Sequence, residues 1–264
     1  MEPESQQSSF NTQSNVYSPG TAATTTTAPT GPITPGKINL GSVFGNAWQG
    51  YQSNMGGAIG WTLLAGLIYI PIVFLEQIIV GLFVSTHYRL GFTALGISIA
   101  RGKPDFNFQF KLFSRYFGIW GVAILHGLML IGLAVPIAVF PILAENQVIE
   151  QELGQMLTLA TAIVFGTLLI YFVYLFYPAY FLVGLQNRGV MESLGACWKS
   201  FKVEALKLFL IILISVFIFL LSFTLFIIPS IFLGPYALAL MGESMRQLIR
   251  LDETDSGVGT SAVN

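Results

Sequence analysis

The sequence predicts an all-α polytopic membrane protein, with about six transmembrane helices and two interfacial amphipathic helices in a parallel internal repeat. Three observations carry this. Hydrophobic residues make up 54% of the 264-residue chain and charged residues 9%, whereas a soluble domain carries about a quarter charged. The apolar runs are long and continuous, as helices need and barrel strands do not. Finally, two amphipathic stretches share one pattern at a shift of 150 residues: Phe44 meets Leu194, Ala47 meets Cys197, Trp48 meets Trp198, Tyr51 meets Phe201 and Met55 meets Ala205. Apolar residues at spacings of three and four form one helical face. Each stretch leads into a hydrophobic run, the mark of an interfacial helix feeding a hairpin.

Taken in order, residues 1–36 are rich in Ser, Thr, Gln, Pro and Gly and are expected to be disordered, because they offer no core to bury. The membrane domain is expected over 37–250 and a second disordered polar tail over 251–264. The first interfacial helix covers about 39–55. The apolar segment 57–100 exceeds one crossing, since roughly 20 residues span the hydrocarbon at 1.5 Å per residue. Split near Glu76-Gln77, it gives spans at about 57–75 and 78–100. Arg101 to Asp105 is a polar stop. Phe106, Phe110, Phe113 and Phe117 then recur at helical spacing and predict a surface helix that is aromatic on one face. A third span at about 117–141 ends at Pro141, and a fourth covers about 156–183. Met191, Leu194, Trp198, Phe201, Ala205 and Leu208 mark the second interfacial helix. The run 206–242 breaks near Pro229 into spans at about 206–227 and 230–246.

The hairpins also echo each other: Gly91-Phe92-Thr93-Ala94-Leu95 resembles Gly234-Pro235-Tyr236-Ala237-Leu238. Two spans separate the copies, so both have the same orientation. With six spans, eleven of the twelve basic residues fall on one side, and the other side receives Glu76, Glu145, Glu150 and Glu152. Basic loops stay in the cytoplasm, which predicts cytoplasmic termini.

Residues 91–116 (GFTALGISIARGKPDFNFQFKLFSRY) and 177–214 (YPAYFLVGLQNRGVMESLGACWKSFKVEALKLFLIILI) resemble the glycerophosphoryl-diester-phosphodiesterase membrane-domain superfamily and related uncharacterised bacterial polytopic domains. The resemblance spans about residues 40–250 in pattern. It implies an accessory membrane module whose phosphodiesterase lies in a separate soluble domain. That domain's catalytic carboxylate and histidine pattern does not appear in this chain, so no catalytic residue transfers.

No enzymatic constellation, cofactor motif or metal site is read from the residues. His87 and His126 lie far apart in sequence and lack neighbouring ligands at zinc spacing. The net charge of −1 gives no case for nucleic acid. The leading polar anomaly is Arg89, roughly 17 Å inside the cytoplasmic end of its span, where insertion costs about 2.5–3.5 kcal/mol. His126, Tyr174 and Tyr236 fall at similar depth, and with Arg89 they form a candidate polar pocket. Trp48 and Trp198 are candidate interfacial anchors. Lys199 and Lys202, beside Trp198, would meet anionic headgroups and hold the Cys197 thiol toward its thiolate form. Gly56 and Gly60 are spaced for a close helix approach. Two functions follow. One is a non-enzymatic module that organises lipids, partner membrane proteins or copies of itself. The other is a permease for a small amphiphile bound near Arg89.

Overall fold

The protein is described from a computed structural model, which covers residue 33 and residues 36–76, 79–146, 148–225 and 227–251. The tails assigned to 1–36 and 251–264 lie outside the described residues except for Ile33, Gly36 and Leu251, as does Gln77 at the expected first hairpin turn. Every regular element described is helical: α1 (Leu40–Ser53), α2 (Met55–Leu75), α3 (Ile79–Ala100), a 3₁₀ segment (Phe106–Arg115), α4 (Tyr116–Glu145), α5 (Gln151–Gln186), α6 (Val190–Ser200), α7 (Lys202–Leu225) and α8 (Ile227–Ile249).

Local chemistry sets the boundaries. The side chains of Asn39 and Asn54 accept hydrogen bonds from the Ser42 and Gly57 amides and cap α1 and α2. Asn187 takes the left-handed conformation that closes α5. Pro141 does not end α4, which continues to Glu145 with both Pro136 and Pro141 inside it. Proline is tolerated inside membrane helices because neighbouring groups satisfy the freed carbonyls. The second amphipathic helix is shorter than its apolar spacing suggested. It breaks at Phe201, so Ala205 and Leu208 belong to α7.

Among the described residues, four stretches are long and apolar enough to cross a membrane: Met55–Leu75, Phe106–Glu145, Gln151–Gln186 and Glu204–Leu221. Their outward surfaces carry large apolar side chains such as Leu67, Phe74, Leu128, Leu159, Phe217 and Leu220. Helices α3 and α8 are a buried inner pair and carry more polar groups. From Leu90 to Ala100 almost every α3 residue is buried, and α8 buries Ala239, Leu240, Glu243, Ser244, Met245 and Leu248. A helix whose neighbours are protein has less need of a continuous apolar surface than one with an exposed apolar face.

The inner pair meets backbone to backbone at Gly96 and Gly242. A methyl group on Gly96 would overlap the Leu238 carbonyl, and one on Gly242 would overlap the Gly96 backbone. Gly56 and Gly60, the spaced pair in the sequence, have nothing within 4 Å of a Cβ at either position. The close approach therefore falls on α3 and α8 and not on the Gly56/Gly60 pair.

The aromatic surface helix is corrected. Residues 106–115 form a 3₁₀ segment that runs back along α3, with Phe108, Gln109 and Leu112 buried. Gln109 lies against Gly91 and Phe113 against His87. The predicted aromatic row is only partly outward: Phe106 and Phe113 are half-buried, Trp61 stacks on Phe106, Phe110 meets Phe106 edge-on and Phe113 at a tilt, and Phe117 is largely exposed.

Residues 36–39 are clamped between α7 and α8. The Gly36 amide donates to the Leu248 carbonyl at 2.9 Å, the Ile38 amide to Glu204 Oε2 at 2.9 Å and the Asn39 amide to Gln247 Oε1 at 3.0 Å. Lys207 Nζ donates to the Ile38 carbonyl and to both Glu204 oxygens.

Candidate functional site

The four residues placed in one polar pocket by depth are held by separate neighbours. Arg89 bridges α2 and α3: its Nε donates to Tyr69 Oη at 2.8 Å, and its Nη2 donates to Glu76 at 2.9 and 2.7 Å. Its side chain is 60% exposed, while Tyr88 and Leu90 on either side are buried. His126, on α4, is buried and shares a 3.1 Å hydrogen bond between Nδ1 and Tyr180 Oη of α5. Tyr174 packs on Phe209 of α7, and Tyr236 packs on Trp48 and Tyr51 of α1. Equal depth did not bring the four together. Pairing with Glu76, at the C-terminal end of α2, is what accommodates Arg89.

The anchors stand in matching environments. Trp48 is 42% exposed and Trp198 46%. Trp48 meets Tyr236 edge-on at 5.3 Å, and Trp198 stacks on Phe172 at 5.9 Å. Each ring leans on the bundle with one part and faces outward with the rest. Lys202 Nζ sits 4.4 Å over the Trp198 ring, and Lys199 is exposed.

Cys197 departs from its expected chemistry. Its thiol is wholly buried on the inner face of α6. Burial pushes its pKa up to about 12, with a backbone hydrogen bond at Ala179 offsetting part of the rise. Lys199 and Lys202 occupy the outward side and do not hold the thiolate, because one helical step rotates a side chain by about 100°.

The densest polar cluster joins α1 to α8. Glu243 is fully buried. It accepts from Asn46 Nδ2 at 2.8 Å, from Arg246 Nε at 2.6 Å and Nη2 at 2.9 Å, and from Gln247 Nε2 at 2.9 Å. Gln247 also donates to Ser42 Oγ at 3.0 Å. A buried carboxylate is tolerated when paired and hydrogen-bonded in this way. The sequence did hold a signal: Asn39, Ser42 and Asn46 fall at i, i+3 and i+7 on α1, a polar stripe beside its apolar one, and Glu243, Arg246 and Gln247 share one face of α8.

Next to this cluster lies a hollow of about 430 Å³ lined by Asn46, Gln49, Ser53, Arg101, Gly102 and Arg246. A larger hollow of about 1090 Å³ separates the far ends of α4 and α5, with Glu145, Glu150, Gln151 and Thr158 in its wall. Among the described residues, no three His, Cys, Asp or Glu side chains are grouped as metal ligands. Compared with protein-family models, with curated proteins and with solved structures, the chain matches none.

Proposed function

We propose that the chain is a non-enzymatic integral membrane module that organises lipids or partner membrane proteins. In this reading it crosses a bacterial plasma membrane six times with both termini in the cytoplasm. The four apolar stretches cross with the inner pair α3 and α8, and the two amphipathic helices lie at one face. The kinship with the phosphodiesterase-associated membrane domains is part of this proposal.

One observation carries it, the agreement of burial between the two amphipathic stretches. Val43, Ala47 and Tyr51 are the buried positions of α1 apart from Gly50. Their partners at the 150-residue shift, Ser193, Cys197 and Phe201, are buried as well, and Trp48 and Trp198 are both about half exposed. The match continues into the following helices, where Ala58 and Ala65 of α2 correspond to Leu208 and Ser215 of α7, all buried. Two segments that bury the same face and show the same tryptophan support a repeated unit of interfacial helix and hairpin. The permease reading draws on a shared pocket around Arg89. With those residues held apart and Arg89 paired to Glu76, the module is the better supported of the two.

Cysteine accessibility tests the threading. In a Cys197→Ala background, a membrane-impermeant maleimide should label Glu150→Cys in intact cells. It should reach Lys199→Cys and Gln49→Cys only in inverted vesicles. Labelling of Lys199→Cys from outside would refute the proposed orientation. Lipids and proteins that co-purify with the full chain, identified by mass spectrometry, test what it organises.

A further inference from the structure

We infer that the 3₁₀ segment Phe106–Arg115 and its flanks are a contact surface for anionic phospholipid. Lys103, Lys111 and Arg115 meet the headgroup phosphates, and the exposed phenylalanines lie among the upper acyl chains. This rests on the membrane reading proposed above and deepens it, by naming the class of lipid that the module engages.

The first observation is charge without a counter-charge. Residues 101–116 carry four basic side chains and a single acidic one. The acid, Asp105, is turned to its own backbone, where its carboxylate accepts from the Asn107 amide at 2.9 Å. Four basic side chains elsewhere are paired: Arg89 with Glu76, Arg188 with Glu192, Lys207 with Glu204 and Arg246 with Glu243. Lys103, Lys111 and Arg115 are exposed, and none of the three forms an ion pair with a described residue. Lys111 Nζ lies 4.3 Å from the Phe108 ring centroid, a neutral partner that steadies the ammonium and leaves its charge in place. Like charges grouped on one short segment raise the local potential and draw anions to it.

The second observation is that the inner face is pinned, which fixes what points outward. Phe108, Gln109 and Leu112 are buried. Leu112 fills the space that a Cβ on Gly184 of α5 would need. The Asp105 amide donates to Ser98 Oγ of α3 at 3.1 Å. Among the exposed positions that remain are Phe110, 38% exposed, and Phe117, 88% exposed, which alternate with Lys111 and Arg115. Basic and aromatic side chains interleaved in this way suit the membrane interface, where cations meet headgroups and rings meet the acyl boundary. Trp61 stacks on Phe106 at 5.5 Å. It lies six residues into α2, about 9 Å along that helix, which sets the row just below the headgroups. An orientation role alone would place these charges on one side of the bilayer, but it does not call for their alternation with exposed rings.

The test reads the lipid neighbours of Trp61. The full chain carries Trp48→Phe, Trp120→Phe and Trp198→Phe, which leaves Trp61 as the one fluorophore of the four tryptophans. It is placed in nanodiscs of phosphatidylcholine and phosphatidylglycerol in equal parts, with the acyl chains of one lipid or the other brominated. Brominated phosphatidylglycerol should quench Trp61 at least about twice as strongly as brominated phosphatidylcholine. The excess should shrink as salt is raised, because exposed charges are screened. Lys103→Gln, Lys111→Gln and Arg115→Gln together should abolish it, and the charge-conserving set Lys103→Arg, Lys111→Arg and Arg115→Lys should keep it. Lys37→Gln, exposed outside the segment, should leave it unchanged.

Equal quenching by the two lipids overturns the inference, and so does an excess that survives the triple glutamine variant or falls as far in Lys37→Gln. In each of these outcomes the chain sits in the bilayer, so the membrane reading stands without the lipid contact. A chain that does not enter the discs removes both. If the phenylalanine background does not fold, lipids retained by the unsubstituted chain on release from the same discs are counted by mass spectrometry. Phosphatidylglycerol should then be retained over phosphatidylcholine, and a glutamine variant that retains as much of it overturns the inference.

Discussion

Arg89 is held by Tyr69 of α2 and by Glu76 just beyond that helix. Its depth along a helix follows from counting, but the face it occupies does not, because each step turns the side chain by about 100°. Tyr88 and Leu90 are buried while Arg89 points outward to Glu76 and Tyr69. The pair can be tested by a double-substitution cycle. Arg89→Leu alone should lower stability in detergent by about 1–3 kcal/mol, because it strips Glu76 of its partner. Arg89→Leu with Glu76→Leu should recover most of that loss, since apolar replacement of an ion pair in a low-dielectric setting is often neutral or stabilising. Additive losses measured by thermal unfolding would mean that the two charges are not coupled. Cys197 makes the same point through its chemistry. With its pKa near 12, only about one thiol in ten thousand is ionised at pH 8, and the thiolate is the reactive form. Maleimide labelling of the folded protein should be slow, should climb about tenfold per pH unit between pH 7 and 9, and should become fast in denaturing detergent. Equal rates in the folded and denatured protein would show that the thiol is not buried.

At the scale of the element, hydrophobic spacing located most helices to within a few residues, because helices with exposed apolar surface leave long unbroken apolar runs. Two features escaped it. The row Phe106, Phe110, Phe113 and Phe117 has helical spacing, yet the segment winds as a 3₁₀ helix and buries Phe108, Gln109 and Leu112 instead. Spacing counts apolar residues, whereas burial depends on which side the neighbouring α3 occupies. The close glycine contact lies beyond the reach of spacing for a related reason. Gly56 and Gly60 share a local spacing, but Gly96 and Gly242 are brought together only by the tertiary fold. Gly242→Ala and Gly96→Ala should each cost about 1–3 kcal/mol, by forcing α3 and α8 apart. Gly60→Ala meets open space and should be neutral or stabilising by up to about 1 kcal/mol. Thermal unfolding of the three variants in one detergent decides the matter, and a Gly60→Ala loss as large as that of Gly242→Ala would move the close contact back to α2.

For the whole molecule, the similar apolar spacing of α1 and α6 is legible in the sequence, and both helices bury corresponding positions. The polar cluster around Glu243 was not, since it joins residues about two hundred positions apart, such as Asn46 and Glu243. The first and second parts of the chain are joined through α3 against α8 and α4 against α5, both extensive contacts. A chain severed between Val148 and Ile149, in the short connection of α4 to α5, should therefore assemble from two co-expressed fragments. A tag on one fragment should recover both in mild detergent. Recovery of the tagged fragment alone would show that the covalent link, and not the packing, holds the parts together.

The clamp on residues 36–39 bears on the order in which the protein is made. The Ile38 amide waits for Glu204, 166 residues later, and the Asn39 amide waits for Gln247, 208 residues later. At about 5–20 residues per second, a ribosome needs roughly 10–40 s to make that stretch. Throughout this interval α1 exists without α8, the helix that receives its polar stripe. Helix α1 is thus made before α8 but locked only with it, and closure of the clamp marks the arrival of α8.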